Sequence, residues 1–200
     1  MRIFGVSDIH GDRGLVERLL ERAKEADVIV LCGDLTFAEE SLEGIIGPFK
    51  SLGKPILFVP GNHETLATAD FLQQLYAPGV YNLHGMGIKI KGVGFFGCGS
   101  ADIGLFSLTD EEMFETLKQG WEMVKDAEKK VVITHTPPYE TKLGELGWVN
   151  AGSPGIREFI EEFEPDLCLC GHIHETFGEE DFIGKTRVIN VGRTGTMVEI

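Results

Sequence analysis

Basic residues are scarce in this chain of 200: 18 Lys and Arg stand against 32 Asp and Glu, for a formal charge of −14 with histidine neutral. Such a surface repels phosphate backbones and acidic bilayers, which disfavours nucleic acid and membranes as partners. It does not exclude a phosphate substrate, because bound metals are the largest charges in any site that holds them. Long apolar runs are lacking as well. The longest, such as Val28–Leu31 and Pro55–Val59, suit strands and fall far short of a bilayer span. The opening Met1–Val6 has neither the apolar core nor the cleavage site of a signal peptide and reads directly as a strand, so a cytoplasmic protein is expected. Cysteine is limited to Cys32, Cys98, Cys168 and Cys170. These read as small buried hydrophobes, in preference to disulfides or a thiolate metal site. Repeats, linkers and low-complexity tracts are missing too, which leaves one domain over residues 1–200, long enough to bury a core.

The first half of the chain alternates strand and helix. Arg2–Ser7, Asp27–Cys32 and Lys54–Val59 read as strands. Asp12 is placed to cap a helix whose apolar stripe is Leu15, Val16, Leu19, Leu20 and Ala23. Ala38–Ser51 carries a helical pattern weakened by Gly44, Gly47 and Pro48, and Thr65–Tyr76 is a short helix. This is the βαβ signature of parallel strands with helices packed on them. The middle turns to short strands at Val80–Leu83, Gly87–Lys91 and Val93–Cys98, spaced as in antiparallel hairpins. A helix over Thr109–Asp126 follows, then a strand over Lys130–Thr134 and a long loop over Thr136–Gly152. Ser153, with Pro154 behind it, caps a helix to Glu162, and Asp166–Cys170 is a strand. Glu179, Glu180 and Asp181 read as a solvated turn, His84 as a surface or turn residue, and Arg187–Val191 with Thr196–Ile200 as a terminal hairpin. The fold class is α/β: two mixed sheets packed face to face with helices outside.

Five of the six histidines lie in short motifs with Asp, Asn and Gly: Asp8-Ile9-His10, Gly33-Asp34, Gly61-Asn62-His63-Glu64, His135, and Gly171-His172-Ile173-His174. Each falls where an expected strand stops, the edge at which α/β sheets gather ligands. On an extended segment, residues two apart project the same way. Asp8 and His10 can then chelate one metal, and His172 and His174 can reach two adjacent ions. The glycines permit sharp turns and close backbone approach. Asp34 has two carboxylate oxygens and can bridge two cations. Neutral imidazoles, carboxylates and Asn62 suit Mn, Fe, Zn or Ni, with Mn preferred. Two divalent ions facing only Asp8, Asp34 and a bridging hydroxide keep a residual positive charge that suits a phosphate anion. That hydroxide would attack phosphorus, with His63 as general acid to the departing alkoxide.

In this order, these motifs resemble the calcineurin-like metallophosphoesterase superfamily, over nearly the whole chain from Asp8 to His174. The resemblance implies a four-layer αββα sandwich. It also implies that Asp8, His10, Asp34 and His174 bind a first metal, that Asp34, Asn62, His135 and His172 bind a second, and that His63 is catalytic. One departure stands out. Many members continue the second motif as Gly-Asp-x-x-Asp, with the last Asp supporting the catalytic histidine. Phe37 stands there in this chain, leaving that task to Glu64 or backbone. An Arg-Gly extension typical of phosphoprotein phosphatases is also missing. His135-Thr136-Pro137-Pro138-Tyr139 looks like a branch that includes phosphodiesterases of cyclic nucleotides and similar small diesters. The expected function is therefore a dinuclear phosphodiesterase acting on a small ester. The alternatives are a monoesterase or nuclease of the same superfamily, or a metal-binding scaffold without catalysis. Arg193, Tyr139 and Trp148 are candidate substrate contacts, from the last turn and from the loop after His135.

Overall fold

The computed structural model describes residues 1–40 and 42–200. In chain order the elements are β1 (Arg2–Val6), α1 (Arg13–Ala23), β2 (Val28–Cys32), α2 (Ile46–Lys50), β3 (Ile56–Val59), α3 (Leu66–Tyr76), β4 (Val80–Asn82), β5 (Gly87–Ile90), β6 (Val93–Cys98) and α4 (Asp110–Glu122). After them come β7 (Lys129–Thr134), β8 (Glu145–Leu146), β9 (Val149–Asn150), α5 (Pro154–Phe163), β10 (Leu167–Cys170), β11 (Glu180–Ile183), β12 (Thr186–Asn190) and β13 (Thr196–Glu199). One sheet runs β13-β1-β2-β3-β4, the other β11-β12-β10-β7-β6-β5. The inner pairs of both sheets are parallel, while β13, β11 and β5 are antiparallel edge strands.

Three apolar clusters separate four layers. Phe4, Val16, Phe49 and Phe58 fill the space between the first sheet and α1, α2 and α3. Val30, Leu57, Phe95 and Leu169 lie between the sheets, and Phe96, Leu117, Phe159 and Cys170 lie under α4 and α5. The αββα sandwich expected from the motifs is the observed architecture. β2 is buried along its whole length because both its faces are covered, which explains its unbroken Val-Ile-Val-Leu-Cys run. The caps follow the sequence: Asp12 accepts from the Leu15 N–H at 2.8 Å, Thr109 and Glu112 form a capping box, and Ser153 accepts from the Ile156 N–H. All four cysteines are unpaired and buried.

Five local expectations are corrected. The helix expected over Ala38–Ser51 reduces to α2, because two glycines and a proline leave too little continuous helix former; Ser41 lies outside the described residues. β4 pairs in parallel with β3 and does not join a hairpin with β5. Glu180 and Asp181 belong to edge strand β11, where Glu180 is exposed and Asp181 accepts from the Lys142 N–H at 3.0 Å. β12 and β13 are not a hairpin. The chain leaves β12 at Asn190 and crosses to the other sheet, where β13 covers the open edge of β1. Periodicity cannot separate these two cases, since Ile189 and Val198 feed the same inter-sheet core either way.

The fifth concerns His84. Its ring is half-buried beside Phe106, and its Nδ1 accepts from the Gly99 N–H at 3.1 Å. Burial pushes it down to about 4, against a small opposing pull from Asp70. Below about pH 6.5 the unfolded chain takes a proton that the folded chain refuses until about 4, so stability falls as pH drops through that window. The loss is expected to approach about 3 kcal/mol at the low end. His84→Gln retains an acceptor for Gly99 and should flatten this limb in urea unfolding run at several pH values.

Candidate metal centre

The carboxyl ends of β1, β2, β3, β7 and β10 meet along one rim, and every histidine motif lies just beyond one of them. Hydrogen bonds stitch the two sheets together there. Ser7 N–H donates to the Gly192 carbonyl, His172 N–H to Asp8 Oδ2 at 3.0 Å, and His135 Nδ1 to the Cys32 carbonyl at 2.8 Å. With Nδ1 donating, His135 Nε2 is the nitrogen turned toward Asp34 and Asn62.

Three groups of donor atoms cluster at this rim: Asp8, His10 and His174; His10, Asp34 and His63; and Asp34, His135 and His172. Asp34 stands in two of them. Its Oδ1 lies 3.4 Å from His135 Nε2, and its Oδ2 lies 3.8 Å from His10 Nε2 and 3.9 Å from His63 Nε2. Asp8 Oδ1 is 3.3 Å from His174 Nε2 and 3.9 Å from His10 Nε2. Asn62 Oδ1 lies 3.1 Å from His135 Nε2. Donors bound side by side at about 2.1 Å from one ion stand roughly 3 to 3.5 Å apart, so the closest of these pairs are spaced as co-ligands. Asp8 Oδ1 is buried without a hydrogen-bond partner. Among the described residues it is the kind of atom that a cation satisfies. The donor set fits two divalent ions.

Backbone conformation was hidden from the sequence. Asp8, His10, Asp34 and His172 have φ of 55°, 49°, 50° and 70°, in the left-handed region. Asp8 and His10 therefore do not converge by extended spacing, as expected, but by two sharp turns. Each such residue costs about 1 kcal/mol or more, a strain that collects at functional sites. Gly61 fits its expected purpose: a Cβ there would collide with the Asp34 carboxylate. A Cβ on Gly33, itself at φ 87°, would come within 2.5 Å of His135 Nδ1.

Charge follows the same geometry. Burial pushes Asp34 up, but His135 and the His63 N–H outweigh it and hold the carboxyl well below the usual range. Burial pushes His135 down, and the Asp34 carboxylate reverses this to about 9. Burial and the nearby His135 charge leave His172 neutral, at about 4. The Asp8 carboxylate, 3.3 Å away, raises His174, while burial lowers His10.

His63 is held by a strap, residues 36–39, that runs against 63–68. Thr36 N–H and Oγ1 both donate to Glu64 Oε1 at 2.8 Å, and Gly61 N–H donates to Glu64 Oε2 at 2.9 Å. Glu39 Oε1 accepts from Thr65 N–H and from the Thr65 and Thr68 hydroxyls. Between these clamps the Ala38 N–H donates to His63 Nδ1 at 3.3 Å, and the Phe37 ring lies 4.9 Å from the His63 ring at 30°. Glu64 thus braces the loops, and backbone with an aromatic face orients the imidazole. The sequence had singled out Phe37 only as a departure.

The cavity over these groups measures about 420 Å³ and is lined by His10, Asp34, Phe37, Asn62, His63, His172 and His174. The three candidate substrate contacts lie elsewhere. Trp148, at the tip between β8 and β9, is 99% exposed. Tyr139 is half-buried, its N–H donating to the Ser153 carbonyl. Arg193 sits on the crossover between sheets and donates to Asp12 Oδ2 at 3.3 Å and the Ile9 carbonyl at 3.4 Å, bracing the turn that carries Asp8 and His10.

Paired sheets with a His- and Asp-rich rim of this kind make a scaffold suited to holding metal ions. A sequence profile of the calcineurin-like phosphoesterases matches residues 1–176, and the chain belongs to that family. An uncharacterized protein of Methanocaldococcus jannaschii is 32% identical over 201 residues, covering 95% of this chain and 87% of that protein. The crystal structure of TT1561 of Thermus thermophilus superposes with a TM-score of 0.77 at 22% identity, over 96% of this chain and 90% of that one. A dimetal phosphatase from Danio rerio superposes with a TM-score of 0.69 at 11% identity, over 96% and 87%. At these identities the two structures speak for the shared fold.

Proposed function

We propose that this protein is a dinuclear metal-dependent phosphoesterase that prefers small phosphodiesters. The observation that carries the reading is Asp34, whose two oxygens face different histidine sets. Asp8, His10, Asp34 and His174 would hold one ion, and Asp34, Asn62, His135 and His172 the other. Mn is the preferred occupant, within a nitrogen and oxygen set that also admits Fe, Zn or Ni. Two such ions, when bound, supply an ionised water and positive charge at phosphorus. The side chains do the rest. With Nδ1 accepting from the Ala38 N–H, the ring hydrogen of His63 lies on Nε2, the edge toward Asp34, placed to hydrogen-bond the departing oxygen. Among the described residues no Lys or Arg lines the cavity, so a singly charged diester suits it better than a dianionic monoester. Its volume suits a small ester. Among the described residues no helix is long and apolar enough to cross a membrane. Four unpaired cysteines fit a reducing, cytoplasmic setting.

The test is hydrolysis of bis-p-nitrophenyl phosphate with added Mn. EDTA is expected to abolish it and Mn to restore it. His135 must shed its proton to ligate, so metal uptake should strengthen as pH rises toward about 9. Retained turnover after complete chelation would overturn the reading. Stoichiometric metal with neither diesterase nor monoesterase activity would point to a scaffold.

A further inference from the structure

A second cavity, of about 300 Å³, shares no lining residue with the first but reaches Thr136, the neighbour of His135. One wall is the segment after β6, with Asp102 and Leu108, and the other is the segment from β9 into α5, with Val149. Met113 of α4 and Thr136 complete it. Two links tie it to the second metal set. Thr136 follows His135 in the chain, and the Leu105 N–H donates to the Asn62 carbonyl at 2.8 Å. Gly104 lies so close that a Cβ there would stand 2.6 Å from that carbonyl. A diester held at the metals would direct one of its two ester substituents this way.

The lining decides what that substituent is. Leu108, Met113 and Val149 supply apolar surface, Asp102 and Asp110 supply negative charge, and among the described residues no Lys or Arg lines it. The starts of α4 and α5 also border the cavity, and free helix N–H groups would favour an anion. At α5 they are already occupied, and at α4 the Glu112 N–H is. Thr109 and Glu112 cap α4 reciprocally, while Ser153 Oγ takes the Ile156 N–H and Asp110 Oδ1 takes the Gly155 N–H. Asp110 Oδ1 also accepts the Ser153 hydroxyl at 2.5 Å. A second phosphate would meet the Asp102 and Asp110 carboxylates without a cationic side chain, among the described residues, to balance them.

We propose that this cavity binds the second ester substituent and selects a neutral or cationic alcohol over an anionic one. The substrate class is then a monoanionic phosphodiester without a further phosphate. This rests on the phosphoesterase reading above. The Mn-loaded protein is assayed for kcat/KM on four p-nitrophenyl diesters, those of methanol, choline, thymidine and glycerol phosphate. Choline and thymidine are expected to exceed glycerol phosphate by at least about tenfold, because like charges facing each other are costly. Asp102→Lys, at an exposed position, should narrow that gap roughly tenfold, and more for choline than for thymidine. Ala151→Phe, which fills the cavity, should lower the thymidine-to-methanol ratio roughly tenfold. Equal rates on choline and glycerol phosphate overturn the proposal. So do ratios unmoved in variants whose unfolding midpoints match the parent; if Ala151→Phe fails to fold, Asp102→Lys decides. If even the methyl ester survives intact, the phosphoesterase reading fails and takes the subsite with it.

Discussion

Asp34→Asn is expected to empty both metal positions and abolish hydrolysis together. One oxygen faces His135 and the other faces His10 and His63, so the residue belongs to two ligand groups at once. The amide keeps the size but loses the charge and one good donor atom. Substitutions one step removed from a metal cost about 10- to 100-fold in affinity or activity. Loss of a shared ligand should exceed that range. The His135 effect provides a second reading: without the carboxylate that raises it, its imidazole should titrate well below about 9. Two ions bound per chain with near-parental turnover would remove Asp34 from the bridging position. Metal content should be measured directly, since activity alone cannot distinguish an empty site from a loaded, inert one.

His63→Ala is expected to behave differently. It should lower kcat by about 10²- to 10⁴-fold while metal content stays at the parental level, because the donor to the departing oxygen is lost and the ligand set is not. Phe37→Leu is the companion variant. Phe37 is 59% exposed and covers the His63 ring face, so its replacement should not disturb folding. Aromatic pairing contributes about 0.5–1.5 kcal/mol, so kcat is expected to fall about two- to tenfold with KM little changed. Phe37→Tyr should restore it. An equal loss in Phe37→Tyr, or a loss confined to KM, would show that the ring does not orient His63. Unchanged kcat in His63→Ala would take His63 out of the reaction.

Much of this was legible in the residues. The alternation of apolar runs and capped helices located nearly every element and pointed to two mixed sheets with helices outside, while the four-layer αββα arrangement was what the family resemblance implied. What stayed hidden was of two kinds. Partner choice was one: β12 and β13 have the pattern of a hairpin, yet each satisfies a different sheet edge, and no local signal reports which edge is open. Backbone sign was the other. Extended spacing and two left-handed turns both bring Asp8 beside His10, and side-chain identity does not distinguish them. For the same reason the bracing of His63 was open. A missing carboxylate at Phe37 could be read, but the Ala38 N–H that takes its place is backbone, which every residue carries.

The rim hydrogen bonds joining Ser7 to Gly192, Asp8 to His172 and Cys32 to His135 have one more consequence. Each ion in the proposed assignment would draw ligands from both halves of the sandwich, so cations there act as rivets as well as reagents. A metal-starved cell would then hold a pool of this protein that is looser at one seam, and digestion would start at that seam long before the helices on the far faces gave way.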